Sequence, residues 1–256
     1  MAIVTTISER DGSWIRIVMN APKGNLLSVE MVRALRAAVA AHAGARGLKW
    51  LTIEGAGDEF SYGAKIQEHL PEPMQTVLPE SHGLFRDLLA CPVSTAALVN
   101  GRCLGGGFEL ALSCDDVIAS ADAVFGLPEI ALAAFPPAAA ALLPGRVGAS
   151  RASRAVLTGD PMGARYWHEA GLVSIVAPQA TVLEAAGDWF DRHLAPRSAV
   201  GLRYAVEASR LVLRAQVEPA LDRAERIYLN GLLKTKDAVE GIQAWIEKRA
   251  PVWTGE

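Results

Sequence analysis

The sequence predicts an α/β fold, on three observations from different parts of the chain. Its opening alternates apolar and polar side chains on either side of Asp11-Gly12, the pattern of a β-hairpin. Between residues 93 and 129, two short apolar runs each lead through a turn into a further short element. The last third is spaced for helices throughout. Strands separated by short helical turns belong to a βα core rather than to an all-helical bundle.

The hairpin pairs Ile3, Thr5 and Ile7 with Trp14, Ile15, Ile17 and Met19. Ser28 then stands as N-cap before Met31, Val32, Leu35, Ala38, Val39 and His42, an amphipathic helix. Residues 48–54 form a short apolar strand ending at Gly55-Ala56-Gly57. Pro71, Pro73 and Pro79 make 58–79 an expected loop with short helical pieces, and helix resumes over 84–89 until Cys91-Pro92. A strand over 93–99 leads to Asn100-Gly101, to Gly105-Gly106-Gly107 and to a helical run over 108–114. A strand over 117–119 is followed by Val124-Phe125-Gly126 and Pro128-Glu129. Helical spacing then covers 150–157, 163–170, 180–194, 199–212, 218–233 and 237–249, with breaks at Pro196 and Pro219 and Asp237 as the last N-cap. The expected division is a core over 1–195 and a helical region over 196–256.

With 256 residues, 51% hydrophobic and 21% charged, the chain can bury a sizeable core, which excludes disorder. A net charge of −3 with dispersed Lys and Arg argues against a nucleic-acid partner. Cys91, Cys103 and Cys114 cannot all pair and show no C-x-x-C spacing, which reads as reduced core thiols. Residues 1–10 hold no apolar block of the signal-peptide kind, and the longest apolar stretch, 130–144, is interrupted by three prolines. A soluble cytoplasmic protein without a membrane partner is the expectation.

Three glycines after a strand let the backbone approach another molecule and leave helix N-terminal amides free. Such amides suit a phosphate or the oxyanion of a polarised carbonyl. The spacing of Gly105-Gly106-Gly107 is neither of the nucleotide-phosphate patterns, and a tight turn alone is the plain alternative. Glu109 and Glu129 each sit in an apolar segment just after a turn. Singly, each reads equally well as a surface residue; together they fit a general acid/base pair with separated pKa values. In Phe60-Ser61-Tyr62-Gly63-Ala64, Gly63 permits an unusual backbone angle that could aim the Ala64 amide into a pocket, though a loop is the default. His42, His69, His82, His168 and His193 show no metal-ligand spacing, so no metal site is expected. Lys248-Arg249 is a solvated helix end or a phosphate contact.

The four blocks Phe60-Ser61-Tyr62-Gly63-Ala64-Lys65-Ile66, Asn100-Gly101 with Gly105 to Ala111, Cys114-Asp115, and Phe125-Gly126-Leu127-Pro128-Glu129-Ile130 resemble the crotonase (enoyl-CoA hydratase/isomerase) superfamily in order and spacing. The resemblance extends over nearly the whole chain. It implies a spiral of ββα units, with the C-terminal helical region assembling homotrimers or homohexamers. It implies Ala64 and Gly106 as oxyanion-hole amides, and Tyr62, Lys65, Ile66 and Lys248 as acyl-CoA contacts. It also implies that Glu109 activates a water while Glu129 exchanges a proton at the α-carbon. Coenzyme A is then part of the substrate, and no cofactor is needed. The set is chemically sufficient: an oxyanion donor contributes about 10²–10³ in rate and a placed acid or base roughly 10²–10⁴.

Three departures mark this chain. Lys65 replaces the family's aspartate, Tyr62 its alanine, and Phe135-Pro136-Pro137-Ala138-Ala139-Ala140 a glycine-rich stretch. With Gln67 to Pro71, these resemble the members that hydrate cyclic conjugated dienoyl thioesters, and a stiff Pro-Ala wall suits a flat ring. A general short-chain enoyl-CoA hydratase and a double-bond isomerase, which needs one carboxylate, stand as alternatives. Dehalogenases place an aspartate in the stretch 131–141, which here holds no carboxylate. A non-enzymatic RNA-binding paralogue would want a basic stripe, and none is present.

Overall fold

The computed structural model describes residues 2–256. Strands β1 (Val4–Glu9) and β2 (Trp14–Met19) pair antiparallel, Glu9 opposite Trp14. The turn between them runs through Arg10, Asp11 and Gly12, all at positive φ. Helix α1 (Val29–Ala43) starts as expected, with Ser28 Oγ accepting from the Met31 amide. Strand β3 (Trp50–Gly55) follows.

Residues 71–79 correct the sequence reading, because they belong to a 19-residue helix, α2 (Pro71–Leu89), rather than to a loop. Pro71 and Pro73 fall in the first turn, where a backbone N–H has no helical acceptor to lose. Only Pro79 removes an interior bond, and burial of Met74, Val77, Leu78, Leu84, Phe85, Leu88 and Leu89 outweighs it.

The middle of the chain gives β4 (Ser94–Val99), β5 (Arg102–Leu104), α3 (Gly106–Leu112), β6 (Asp116–Ser120) and β7 (Val124–Gly126). The apolar stretch beyond Glu129, read as a stiff wall, forms a short 3₁₀ turn (Pro128–Leu132) and then a helix, α4 (Pro137–Val147), with proline at its first position. Next come α5 (Ala149–Thr158), β8 (Met162–Gly163), α6 (Ala164–Glu169), β9 (Ile175–Ala177) and α7 (Val182–His193).

The C-terminal helices are α8 (Ala199–Ser209), α9 (Leu211–Asn230) and α10 (Lys236–Glu247), which moves one expected break. Helix α9 runs straight through Pro219, and the chain turns at Arg210 instead. The buried Arg210 guanidinium is drawn inward, donating to the carbonyls of Leu88, Leu89, Cys91 and Val93 and to the Asp115 carboxylate. The cap of α10 is Thr235, whose Oγ1 accepts from the Ala238 amide; the Asp237 carboxylate instead receives the Thr254 and Gly255 amides.

Six strands form a sheet in the order β1-β2-β3-β4-β6-β9, parallel from β2 onward. A parallel sheet needs cover on both faces. Ile15, Ile17, Leu51, Ile53, Ala97 and Val99 face the main core, while Trp14, Trp50, Ala96, Leu98 and Ile118 pack under Val182, Ala186 and Phe190 of α7. A second ladder of short pieces runs alongside. Leu27 bridges to Ala64, Ser61 to Cys103, β5 pairs with β7, and β7 with β8. The chain is therefore a spiral of strand–strand–helix turns. Each turn contributes a long strand to one ladder and a short piece to the other, so loops distant in sequence stack side by side.

Candidate active site

The second ladder brings together the two turns that sequence alone left apart. Gly63 has φ +89°, and a Cβ there would lie 2.6 Å from the Leu104 carbonyl oxygen and 3.1 Å from the Gly106 nitrogen. A Cβ on Gly106 would lie 3.5 Å from the Ala64 nitrogen, so the Ala64 and Gly106 amides are neighbours across the turn. The Gly106 amide opens α3 and has no acceptor within the helix. The Ala64 amide donates to no backbone carbonyl among the described residues. Gly107 lets α3 press on Ser61, where a Cβ would stand 2.6 Å from the Ser61 Cβ. Ser61 in turn is fixed, its Oγ donating to the Asn25 carbonyl and accepting from the Gly63 amide.

Glu109, 7% exposed, projects from α3 into this region. Its Oε1 accepts from the Ala138 and Ala139 amides at 2.8 and 2.9 Å, the first N–H groups of α4 after Pro137. Burial lifts its pKa to about 7, against the opposing pull of those two amides. Glu129, on the turn after β7, is partly accessible as a residue, while its Oε2 is buried without a hydrogen-bond partner among the described residues. Burial lifts Glu129 to about 8, and the nearby charge of Glu109 adds to the rise. Gly105 makes room for it, since a Cβ there would lie 2.6 Å from Glu129 Oε1. Near neutral pH such a pair holds one proton between two carboxyls, one member able to accept a proton and the other to give one.

Two connected cavities meet at these groups. The inner one, about 40 Å³, is bounded by Ala64, Gly106, Glu109 and Glu129, with Phe85, Phe135, Pro137 and Tyr228 among its walls. The outer one, about 600 Å³, opens beside Lys23, Tyr62, Ile66 and Trp245 and shares Ala64, His69 and Glu129 with the inner. Of the residues picked out in the sequence, Glu109, Glu129, Ala64 and Gly106 converge, and Tyr62 and Ile66 line the mouth. Lys65 and Lys248 are exposed and lie outside both linings. Tyr62 is held by its hydroxyl on Glu59 Oε1 at 2.9 Å and by the Arg102 guanidinium over its ring.

Three contributors, His69, Tyr228 and Trp245, have no site role in the sequence reading. His69, which belongs to the Gln67–Pro71 segment of the resemblance and shows no metal spacing, stands where the cavities join, with Nδ1 on the Lys65 carbonyl and its pKa lowered by burial. Tyr228 comes from α9 and Trp245 from α10, while Phe135, the first residue of the expected wall, comes from the segment before α4. Of the three, only Trp245 carries a usable signal, an aromatic on the face of α10. The described residues include no group of three or more His, Cys, Asp or Glu placed to hold a metal, and their helices include none long and apolar enough to cross a membrane. The cysteines are free and buried, and burial pushes each thiol up, Cys114 to about 12.

Comparison with known proteins gives a consistent picture. Residues 9–256 match the model of the enoyl-CoA hydratase/isomerase family. The chain is 39% identical to a cyclohexa-1,5-dienecarbonyl-CoA hydratase of Thauera aromatica, covering 96% of this chain and 94% of that one. It is 36% identical to the 2,3-dehydroadipyl-CoA hydratase of Escherichia coli K12, covering 90% and 89%. Among solved structures it is similar to an enoyl-CoA hydratase from Mycobacterium avium subsp. paratuberculosis K-10, with TM-score 0.82, 29% identity and 99% of both chains covered.

Proposed function

The chain belongs to the enoyl-CoA hydratase/isomerase family, and from that premise we propose how its residues add water to an unsaturated CoA thioester and which acyl group they take. The thioester oxygen sits between the Ala64 and Gly106 amides, with the CoA portion leading out through the larger cavity past Tyr62 and Ile66. Lys65 and Lys248, exposed nearby, and Lys23 at the mouth answer to its phosphates. Ionised Glu109 takes a proton from water as the oxygen bonds to the electrophilic alkene carbon. The alkene electrons move into the thioester, and the resulting enolate is held by the two amides. Protonated Glu129 then gives its proton to carbon, and the enolate collapses. A double-bond isomerisation needs one carboxyl; two buried carboxyls with raised pKa values favour hydration.

The acyl group is a compact cyclic dienoyl unit. The carrying observation is the make-up of the inner cavity's walls, where Phe85, Phe135, Pro137 and Tyr228 present ring faces and edges. Flat rings pack against such walls, whereas a linear chain leaves them partly bare. The named substrate of the Thauera aromatica relative, at 39% identity, supports the same choice. Steady-state hydration of cyclohexa-1,5-diene-1-carbonyl-CoA against crotonyl-CoA decides it. We expect kcat/KM to favour the ring by about tenfold or more, the scale of one or two methylene-sized packing contacts. Equal or better use of crotonyl-CoA would return the chain to general short-chain hydration.

Assembly as a trimer or hexamer through the C-terminal helices is also proposed. Val200, Tyr204, Leu211 and Val212 on α8 and α9 leave large apolar side chains exposed, Tyr204 and Val212 at 71%. Light scattering should give a mass of three or six chains, and a monomer at micromolar concentration would refute this.

A further inference from the structure

We propose that Tyr228 is the third hydrogen-bond partner of the attacking water, donating its phenolic proton to the water oxygen while Glu109 and Glu129 receive the water's hydrogens. The inference rests on the hydration reading above and adds to it a residue from α9, more than 90 positions from either glutamate.

Tyr228 is 2% exposed and lines the inner cavity together with both glutamates. Phe135 packs edge-on against its ring at a centroid distance of 5.3 Å, which restrains the ring at the cavity wall. The Tyr228 hydroxyl makes no hydrogen bond to protein among the described residues, and its oxygen is not among the buried atoms sealed off without a partner, so it stays open to the cavity that Tyr228 lines. Its partner is therefore something that enters the cavity. Burial and the charges of Glu129 and Glu109 raise its pKa, so the group stays a neutral donor while the carboxyls titrate.

Few other donors are left for the water. The Ala64 and Gly106 amides face the thioester oxygen. Pro137, at the cavity wall, has no N–H, and the next two amides of α4 are occupied by Glu109 Oε1. His69 has Nδ1 on the Lys65 carbonyl, which leaves its Nε2 an acceptor in the neutral ring. A bound water needs two to four polar partners. With its hydrogens directed at two carboxyls it has two lone pairs left. A phenol on one aims the other at the alkene carbon. After addition the same O–H donates to the new alcohol oxygen, so no proton leaves Tyr228 in the cycle.

The test is Tyr228→Phe in the full-length chain, which keeps the ring and its Phe135 contact. Two reactions are compared. One is hydration of an enoyl-CoA, and the other is exchange of the α-proton of butyryl-CoA with D₂O, which needs the amides and a carboxyl but no attacking water. We expect kcat for hydration to fall about tenfold or more, the loss of one well-placed hydrogen bond. KM should stay within twofold and the exchange rate at the wild-type level. Hydration within twofold of wild type would overturn the proposal. So would a parallel fall in hydration and exchange, the signature of a merely structural role. A wild-type chain that exchanges the proton yet hydrates nothing would overturn the hydration reading and this proposal with it.

Discussion

Glu109→Gln and Glu129→Gln are each expected to lower the rate of water addition by about 10²–10⁴-fold, the range for removing one positioned acid or base. Either change is nearly isosteric. In Glu109→Gln the new side-chain carbonyl can still accept the Ala138 and Ala139 amides, so the start of α4 keeps its partner. What goes is the ability to exchange a proton. The double variant should be little slower than the worse single one, because groups acting in one step are not additive. Unlike roles should also separate the two: with Glu109 serving the water and Glu129 the α-carbon, Glu109→Gln retains α-proton exchange of butyryl-CoA and Glu129→Gln loses it. The wild-type pH profile carries the same information. Both pKa values are raised, to about 7 and about 8, so kcat/KM should peak between these values. It should fall about tenfold per unit on the acid side, where both carboxyls are protonated, and on the alkaline side, where both are ionised. Stability moves with the opposite sense. A carboxyl whose folded pKa lies above its ordinary 4.5 favours folding most below that value and loses the contribution as pH rises through 7 to 8. Glutamine does not ionise, so the Tm of either variant relative to wild type should climb between pH 5 and pH 9. Near-normal turnover in a variant, or a flat profile from pH 6 to 9, would remove that residue from the acid/base pair.

What the sequence made legible follows from how far each feature depends on distant residues. Glu109 lies three residues after Gly106 and Glu129 three after Gly126, so turn and carboxyl are encoded together, and a local pattern was enough to single them out. The hairpin, the Ser28 cap and the strands β3, β4 and β6 are legible for the same reason, as short-range periodicity, whereas β9 lies in a third that reads as helical throughout. Misreadings arose where a local rule met a tertiary gain. Proline in 71–79 argued against helix, but two of the prolines fall where a helix has no bond to lose, and the apolar face of α2 outweighs the third. Pro219 predicts a break by the same rule, and again buried residues of α9 carry the helix through. The true break at Arg210 was invisible because its cause is a set of carbonyls and a carboxylate over 90 residues away. Helix α4 hid in an alanine-rich run without apolar periodicity, which concealed that its N-terminal amides cradle Glu109. Tyr228 lies beyond sequence reasoning altogether, since nothing near it in the chain marks a cavity.

Gly105→Ala, a change of one methyl outside both carboxylates, is expected to cost nearly as much activity as losing one of them. Gly105 holds φ +49° and ψ −125°, a backbone region that residues with a Cβ avoid. The added Cβ would lie 2.6 Å from Glu129 Oε1, closer than such contacts allow. Two responses are open, and both are harmful. If the backbone relaxes, the Gly106 amide turns away from Ala64 and the proposed oxyanion site opens. If it holds, the Glu129 carboxyl is displaced, and a shift of about 1 Å in a reacting group can cost on the order of 10²-fold. A loss of about 10²-fold in kcat should therefore accompany a backbone strain of about 1–3 kcal/mol, read as a Tm several degrees lower. Gly44→Ala is the matched control. That glycine ends α1 at φ −80°, with no atom within 4 Å of an added Cβ, and it should alter neither quantity. Activity of Gly105→Ala within tenfold of wild type would mean that Glu129 does not take its position from this glycine, and the close fit of the turn to the carboxyl would have no catalytic consequence.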